Sequence, residues 1–362
     1  MKRENNNYKY IHFFPYEKFT SSFVNFINEN YNSKDHCFII FGNIDYVKLD
    51  IHESKNIYYF KSTKQLIKAN LSEIIDLKKA DKLFAHSMFM SMELILLKYI
   101  KYINKINIIF WGGDIQDIKK KNIDLKSSIL KKIKKYIISN ASCIITLVPN
   151  DYKEISNIIK IKGCNKIGKY PMDQEQHKII SDLTSIKNDN PYCILVGNSA
   201  TKSNCHLEIF DMLKRFKDEN ILIYCPLSYG DKQYREKVIK IGKKYFGNKF
   251  FPLIDYLEYS KYVKLIANSS VAIFNNNRQQ ALGNINASLE LKTKVYMKKN
   301  TSMWDDYFNN KNFIIYDVQD IEKSTFHEFI NMDCEIAIHN KKQIQYYGST
   351  EYCIQVWNNL LK

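Results

Sequence analysis

Short apolar runs recur along the chain, separated by longer stretches in which apolar positions return every three or four residues. The runs at 8–14, 36–41, 57–60, 82–85, 106–111 and 143–147 read as buried strands of the first half. Between them, Phe19, Phe23, Phe26 and Ile27 share one helical face. Residues 87–103 read as a long amphipathic helix and 125–138 as a basic one. The second half repeats the alternation, with strands at 192–196, 221–225, 249–251, 271–274 and 294–297 and a helical close over 352–361. Strands alternating with helices predict βα units and mainly parallel sheets, the α/β class. Between Pro171 and Pro191 the periodicity is lost. The pattern therefore predicts a first doubly wound domain over 1–170, a linker over 171–190 and a second domain over 191–340. A helical tail over 341–362 is a candidate to pack back on the first domain.

The stretch 192–216 organises the second half. A buried strand stops at Gly197, a small polar loop runs from Asn198 to Asn204, and a helical pattern starts at His206. Strand, glycine, polar loop and helix is how an α/β domain offers backbone N–H groups to an anion. The glycines of a Walker or G-x-G-x-x-G loop are absent. Read locally, it is a loop with a capped helix, Ser203 or Asn204 serving as N-cap.

Composition changes the picture little. With 362 residues, 45% hydrophobic and 25% charged, the chain is ordinary globular material for about two domains. A formal charge of +16 points to a polyanionic partner or an anionic membrane, although a Lys/Ile/Asn-biased composition accounts for part of it. None of the eight cysteines forms a C-x-x-C pair, so buried thiols in a reducing compartment are expected, with neither zinc nor disulfides. MKRENNNYKYIHFF has no signal core and no span is long enough to cross a bilayer. The expected location is cytoplasmic, peripheral on the cytosolic face of the inner membrane. Nucleic-acid binding lacks any supporting motif.

Candidate chemistry collects where strands end. In the first half these residues are His12, His86 and Asp114; the last two are candidate general bases. His12, inside an aromatic strand, also reads as a satisfied core histidine. His86 precedes Ser87, a good N-cap for the expected helix. In the second half they are Asn198, Ser199, Ser203, Asn204, Tyr229 and the stretch NNNRQQALGNINASLEL at 275–291. There Arg278 could fork onto a phosphate ahead of a helix starting near Gly283 or Asn284. The alternative is a polar turn whose arginine pairs with a surface carboxylate. There is no D-x-D, so no metal and no cofactor are expected. Lys119, Lys120, Lys121, Lys126, Lys131, Lys132, Lys134 and Lys135 form a basic amphipathic segment, either a solvated face or a contact for anionic lipid.

The strings ILVGNSATKSNCHLE, CPLSYGDKQYREKV and FNNNRQQALGNINASLELKTKVYM, the last followed by Trp304, resemble the TDP-N-acetylfucosamine:lipid II N-acetylfucosaminyltransferases. Thinner matches lie at Ile11-His12, Phe84-Ala85-His86 and Trp111-Gly112-Gly113-Asp114. The resemblance implies a GT-B enzyme, two Rossmann-like domains facing a central cleft. It also implies transfer of 4-acetamido-4,6-dideoxygalactose, or a similar deoxyamino sugar, from a TDP-sugar to a polyprenyl-diphosphate-linked saccharide in bacterial surface-polysaccharide synthesis. By position, Gly197, Asn198, Ser199, Ser203, Asn204, His206, Tyr229, Arg278, Gln279, Gln280, Gly283 and Asn284 would bind the donor. Asp114, then His86, then His12 would face the acceptor. Other readings are the same fold acting on UDP- or GDP-sugars, as transferase or epimerase, and a non-catalytic sugar-nucleotide scaffold.

Overall fold

The computed structural model describes residues 7–45, 50–51, 54–119, 124–183 and 191–362. The chain divides into two compact units, Met1–Asp173 with Ser349–Lys362, and Gln174–Gly348.

In the first unit seven strands are described: β1 (Tyr10–Pro15), β2 (His36–Phe41), β3 (Ile57–Phe60), β4 (Lys82–His86), β5 (Ile106–Phe110), β6 (Cys143–Thr146) and β7 (Cys164–Ile167). All pair in parallel, in the order β3-β2-β1-β4-β5-β6-β7. Their unbroken apolar runs follow from burial on both faces. One face carries Ile11, Phe13, Ile39, Leu83 and Ile108, the other Phe14, Phe38, Ile40, Phe84 and Ile109. The helices Thr20–Asn30 and Thr350–Leu361 cover the second face. Trp357 lies buried there, 4.9 Å from Phe23 and 5.6 Å from Phe84 between ring centres, and its Nε1 donates to the Lys169 carbonyl at 2.7 Å.

In the second unit β8 (Tyr192–Val196), β9 (Ile221–Pro226), β10 (Phe250–Leu253), β11 (Ser269–Phe274), β12 (Lys294–Met297) and β13 (Tyr316–Asp317) are also all parallel. Their order is β10-β9-β8-β11-β12-β13. In each sheet the winding reverses once, between β1 and β4 and between β8 and β11. Loops leaving the carboxyl ends at such a reversal diverge, and open α/β sheets bind ligands there.

Several local expectations are corrected. The helix expected over 87–103 is broken. Ser87, Met90 and Ser91 take φ of +74°, +52° and +58°, leaving an irregular loop before the helix Met92–Lys98 and a 3₁₀ turn at Ile100–Lys105. Ser87 N–H instead extends the sheet by donating to Ile109 at 2.8 Å. A helix, Gln174–Asp182, occupies part of the stretch 171–190; its apolar signal is only Ile179 and Ile180. Residues 184–190 of that stretch, and Lys120 and Lys121 of the basic segment, lie outside the described residues. The edge strand β7 escapes notice because Cys-Asn-Lys-Ile is polar and largely exposed, and β13 because it has two residues. Cys143 and Cys164, expected as free thiols, stand opposite each other in the β6–β7 register with Cα atoms 4.5 Å apart and are joined by a disulfide. That separation falls within the disulfide range, and only strand pairing produces it.

Replacing Trp357 by Ala should destabilise the first unit by about 3–5 kcal/mol, through the cavity left against Phe23 and Phe84 and the lost bond to Lys169. Urea unfolding followed by far-ultraviolet circular dichroism would measure it.

Candidate functional site

At the winding reversal of the second unit, β8 ends in Gly197 with φ +71°. A Cβ there would lie 2.6 Å from His206 Nε2 and 3.0 Å from Asn204 Oδ1, so only glycine lets the chain turn over the imidazole. The loop beyond is folded on the Asn204 carboxamide. Its Oδ1 accepts from the Asn198 N–H at 3.1 Å, and its Nδ2 donates to Thr201 Oγ1 at 2.8 Å and the Ser199 carbonyl at 3.0 Å. The expected N-cap role of Ser203 or Asn204 is therefore not taken up. Asn204 is spent inside the loop, and Ser203 Oγ donates to Gln280 Oε1 at 2.6 Å. Cys205, at φ +50°, precedes the helix His206–Leu213 without a side-chain cap.

The loop after β11 meets this one. Gln280 Nε2 donates to Asn198 Oδ1 at 3.0 Å, and Asn277 N–H donates to the Ser203 carbonyl at 2.9 Å. Asn198 Nδ2 then donates to Tyr229 Oη at 2.9 Å, drawing in the loop after β9. Asn198, Ser199, Ser203, Asn204, Tyr229 and Gln280 thus form one hydrogen-bonded cluster. The helix Leu282–Glu290 opens from Ala281 at φ +62°, also without a side-chain cap. Its first N–H groups are left to whatever lies beyond them, the geometry that favours an anion. Arg278 Nη1 donates to the Gln279 carbonyl at 2.9 Å, holding the guanidinium within the same loop. Gly283 has open space where a Cβ would stand. Asn284 Nδ2 donates to Tyr262 Oη at 2.9 Å. His206 is fully buried, and Tyr234 Oη lies 3.3 Å from its Nδ1. Burial pushes its pKa down to about 4. Among the described residues, His206 Nε2, Asn275 Oδ1, Asn276 Nδ2 and Gln279 Oε1 are buried with no protein partner, a concentration of unsatisfied polar atoms around one pair of loops.

In the first unit, Gly112 turns the chain at φ +82° and Asp114 enters the helix Gly113–Lys119. Its buried carboxylate accepts from Trp111 N–H at 3.0 Å and Met88 N–H at 3.2 Å, tying the ends of β4 and β5 together. Burial pushes the carboxyl up to about 6, opposed by these N–H groups. His86, the last residue of β4, is fully buried, with His12 Nδ1 3.0 Å from its Nε2 and Tyr170 Oη 2.6 Å from its Nδ1. His12 Nε2 lies 3.1 Å from His36 Nδ1, and Trp111 Nε1 donates to Tyr170 Oη at 3.0 Å. Ser87, with φ +74°, caps no helix. His36, Tyr170 and Tyr262 are not marked as site residues in the sequence, and Trp111, Thr201 and Tyr234 stand there only inside longer matching strings. Thr201 is held by Asn204 within its own loop, and the others meet side chains at least 22 positions away.

Two parallel α/β sheets of this winding are the GT-B architecture, and the family match makes the chain a glycosyltransferase that uses a nucleotide-sugar donor. The chain belongs to the family described as 4-alpha-L-fucosyltransferase, glycosyl transferase group 56, whose model matches residues 17–362. Among solved structures it is similar to a glycosyltransferase from Rickettsia africae ESF-5, with 14% identity, TM-score 0.68, and coverage of 99% of this chain and 98% of that one. It is also similar to the sucrose-phosphate synthase from Thermosynechococcus elongatus, with 11% identity, TM-score 0.61, and 97% and 98% coverage. A third is the trehalose-6-phosphate protein from E. coli bound with UDP-2-fluoro glucose, with 8% identity, TM-score 0.64, and 97% and 98% coverage. At these identities the likeness is one of fold.

The buried histidines give the first unit a pH dependence. His12 and His86 are held well below the usual imidazole range by burial and His36 is lowered to about 4, so all three stay neutral when folded. The unfolded chain takes up protons near pH 6.5, so stability is lost as pH falls below that value, on the order of 3 kcal/mol for His36 by pH 4. Asp114 acts in the opposite sense, because its folded carboxyl takes up a proton near pH 6 and the unfolded one only near 4. We expect the urea midpoint to fall between pH 7 and 5, and the fall to be steeper in Asp114→Asn.

Proposed function

We propose that the protein transfers a deoxyamino sugar, of the 4-acetamido-4,6-dideoxygalactose type, from a TDP-sugar to a hydroxyl of a polyprenyl-diphosphate-linked saccharide, without a metal. The observation that carries this reading is the start of the helix at Leu282, which has no side-chain cap and is set beside the Gly197 loop by the bond between Gln280 and Asn198. Backbone N–H groups there, with Arg278, match a diphosphate and would stabilise the charge that grows on it as the sugar leaves. The family description names a fucosyl group, a 6-deoxyhexose, which supports the sugar class. Thymidine and the lipid-linked acceptor rest on the sequence resemblance. The acceptor proton is drawn at the carboxyl ends of β4 and β5, where Asp114 and His86 lie. Both Asp114 oxygens face backbone N–H groups, which favours Asp114 as the group that positions the two loops and the His86 side of the site, where Tyr170 Oη meets His86 Nδ1, as the route for the proton.

Thermal unfolding with TDP, UDP, GDP and CDP, with and without magnesium, tests this. TDP should stabilise the chain most, equally without the metal, by a few kcal/mol when it greatly exceeds its dissociation constant. Arg278→Ala should weaken TDP binding about 10–100-fold, the worth of a charged hydrogen bond. Unchanged affinity and turnover in that variant would refute the donor site. Preference for another nucleotide would change the donor, and no shift with any would favour a scaffold.

The acceptor class places the enzyme at a membrane, and the helix Leu125–Asn140 has the matching surface. Leu125, Ile129, Lys132 and Tyr136 are exposed along one stripe, beside Lys126. Leu125 is 78% exposed among the described residues. Among the described residues, no helix is long and apolar enough to cross a membrane. We expect co-sedimentation with phosphatidylglycerol vesicles that weakens as salt rises and is lost in Leu125→Glu/Ile129→Glu. Binding indifferent to salt would exclude an electrostatic anchor.

A further inference from the structure

Three imidazoles cross the aromatic face of the first sheet on a diagonal. His36 on β2 pairs with Tyr10 of β1, His12 stands two residues further along β1, and His86 lies two residues beyond Phe84, the β4 partner of His12. All three side chains point to the face holding Phe14, Phe38 and Phe84, and each meets the next through a ring nitrogen at 3.0–3.1 Å. At the carboxyl end the line continues from His86 Nδ1 to Tyr170 Oη, which accepts from Trp111 Nε1. At the other end His36 lines a surface groove with Tyr10, Tyr31, Asp35 and Lys362.

The chemistry of the end groups sets the direction of the line. An indole N–H can only donate, so the Tyr170 oxygen accepts from Trp111. His86 Nδ1 is the acceptor within reach of the Tyr170 proton. With Tyr170 as the donor to His86 Nδ1, His86 Nε2–H donates to His12, His12 Nε2–H donates to His36, and every imidazole is the neutral Nε2–H tautomer. Both nitrogens of His86 are taken, so a substrate hydroxyl meets it only through Tyr170.

We propose that Tyr170 is the group that takes the proton of the acceptor hydroxyl, and that His86, His12 and His36 relay the compensating proton to the groove. This rests on the glycosyl-transfer reading. As the acceptor oxygen attacks the anomeric carbon, its proton passes to Tyr170 Oη. The Tyr170 proton passes to His86 Nδ1, the His86 Nε2 proton to His12 Nδ1, and the His12 Nε2 proton to His36 Nδ1. His36 Nε2 then releases its proton into the groove. Every group ends neutral with its tautomer exchanged, so no charge is left on a buried ring, where it would be costly. The departing nucleoside diphosphate carries off the bonding electrons of the sugar. The line resets when Tyr170 yields a proton to water and His36 regains one. The charged groups facing it are Asp35 and Lys9 at His36 and Asp114 at Tyr170.

Two-bond nitrogen–proton correlation spectra of the full chain labelled with ¹⁵N-histidine test the direction without substrate. His12, His36 and His86 should all be neutral Nε2–H tautomers between pH 6 and 8. A proton on Nδ1 of His86 or His12 would overturn the proposal, because the Tyr170 oxygen would then face two donors and could accept nothing more. Turnover is followed with TDP-linked 4-acetamido-4,6-dideoxygalactose and a polyprenyl-diphosphate-linked saccharide. Tyr170→Phe should lower kcat about 100-fold or more, with KM and the thermal shift by TDP retained. His36→Gln keeps one donor and one acceptor but cannot exchange a proton between them. It should lower kcat about tenfold and shift the pH profile. Wild-type kcat and pH profile in both variants would overturn the relay. Absence of transfer by the wild-type chain would overturn the donor assignment instead, and the tautomers alone would then decide the relay.

Discussion

The space between the end of β8 and the helix His206–Leu213 admits one side chain, and the His206 imidazole occupies it. Residue 197 consequently has no room for a Cβ, and glycine at positive φ turns the chain over the ring. From that turn the Asn198 N–H meets the Asn204 carboxamide, and the Asn198 side chain meets Gln280 and Tyr229. A larger residue at 197 would move the strand end or the imidazole, and three loops would lose their common anchor. The small-polar composition of 198–204 follows from this arrangement. The loop satisfies its own backbone with short side chains, and the His206 N–H beyond it is met by Tyr234 Oη.

The first unit manages the opposite problem, polar groups inside an apolar face. Burying three imidazoles would cost several kcal/mol if their nitrogens were unpaired. Here each is placed against another ring nitrogen or the Tyr170 hydroxyl, and flat aromatic neighbours fill the remaining contact. His12 stacks with Phe38 at 4.8 Å and Phe84 at 5.0 Å, and Phe14 covers His86 at 4.2 Å. The helix Thr350–Leu361 closes this face through Trp357, so the last turns of the chain belong to the same core as β1. Covalent and electrostatic ties at other points of the unit, such as the Cys143–Cys164 disulfide and the Asp114 bonds to Trp111 and Met88, join neighbouring strands rather than distant ones.

Legibility differed by the range of the interaction. Strand ends at 41, 60, 196, 274 and 297 stand as the apolar runs predict, because a strand buried on both faces is continuously apolar. The break at 87–91 was hidden, because left-handed φ at Ser87, Met90 and Ser91 comes from the loop over β5 and those residue types do not announce it. The 164–167 strand was hidden because an edge needs no apolar pattern. Gly197 and the 275–280 amides were legible as a site by composition. Their mutual bonds were not, since Gln280 and Asn198 are 82 positions apart.

By itself the sequence determined the α/β class, the alternation of elements, the glycine turn at the end of β8 and the concentration of amides and an arginine after β11. These are local consequences of burial periodicity and backbone freedom, and a resemblance in three strings was enough to connect them to a glycosyltransferase family. Only the tertiary structure decided that Asn204 folds its own loop instead of capping a helix, that Asn284 faces Tyr262, that Cys143 meets Cys164, and that His36, His12, His86 and Tyr170 form one line. The Cys143–Cys164 pair and the histidine line depend on strand register, which is set by the packing of whole sheets rather than by any neighbouring residue; the Asn204 and Asn284 bonds depend on how a loop and two helices pack.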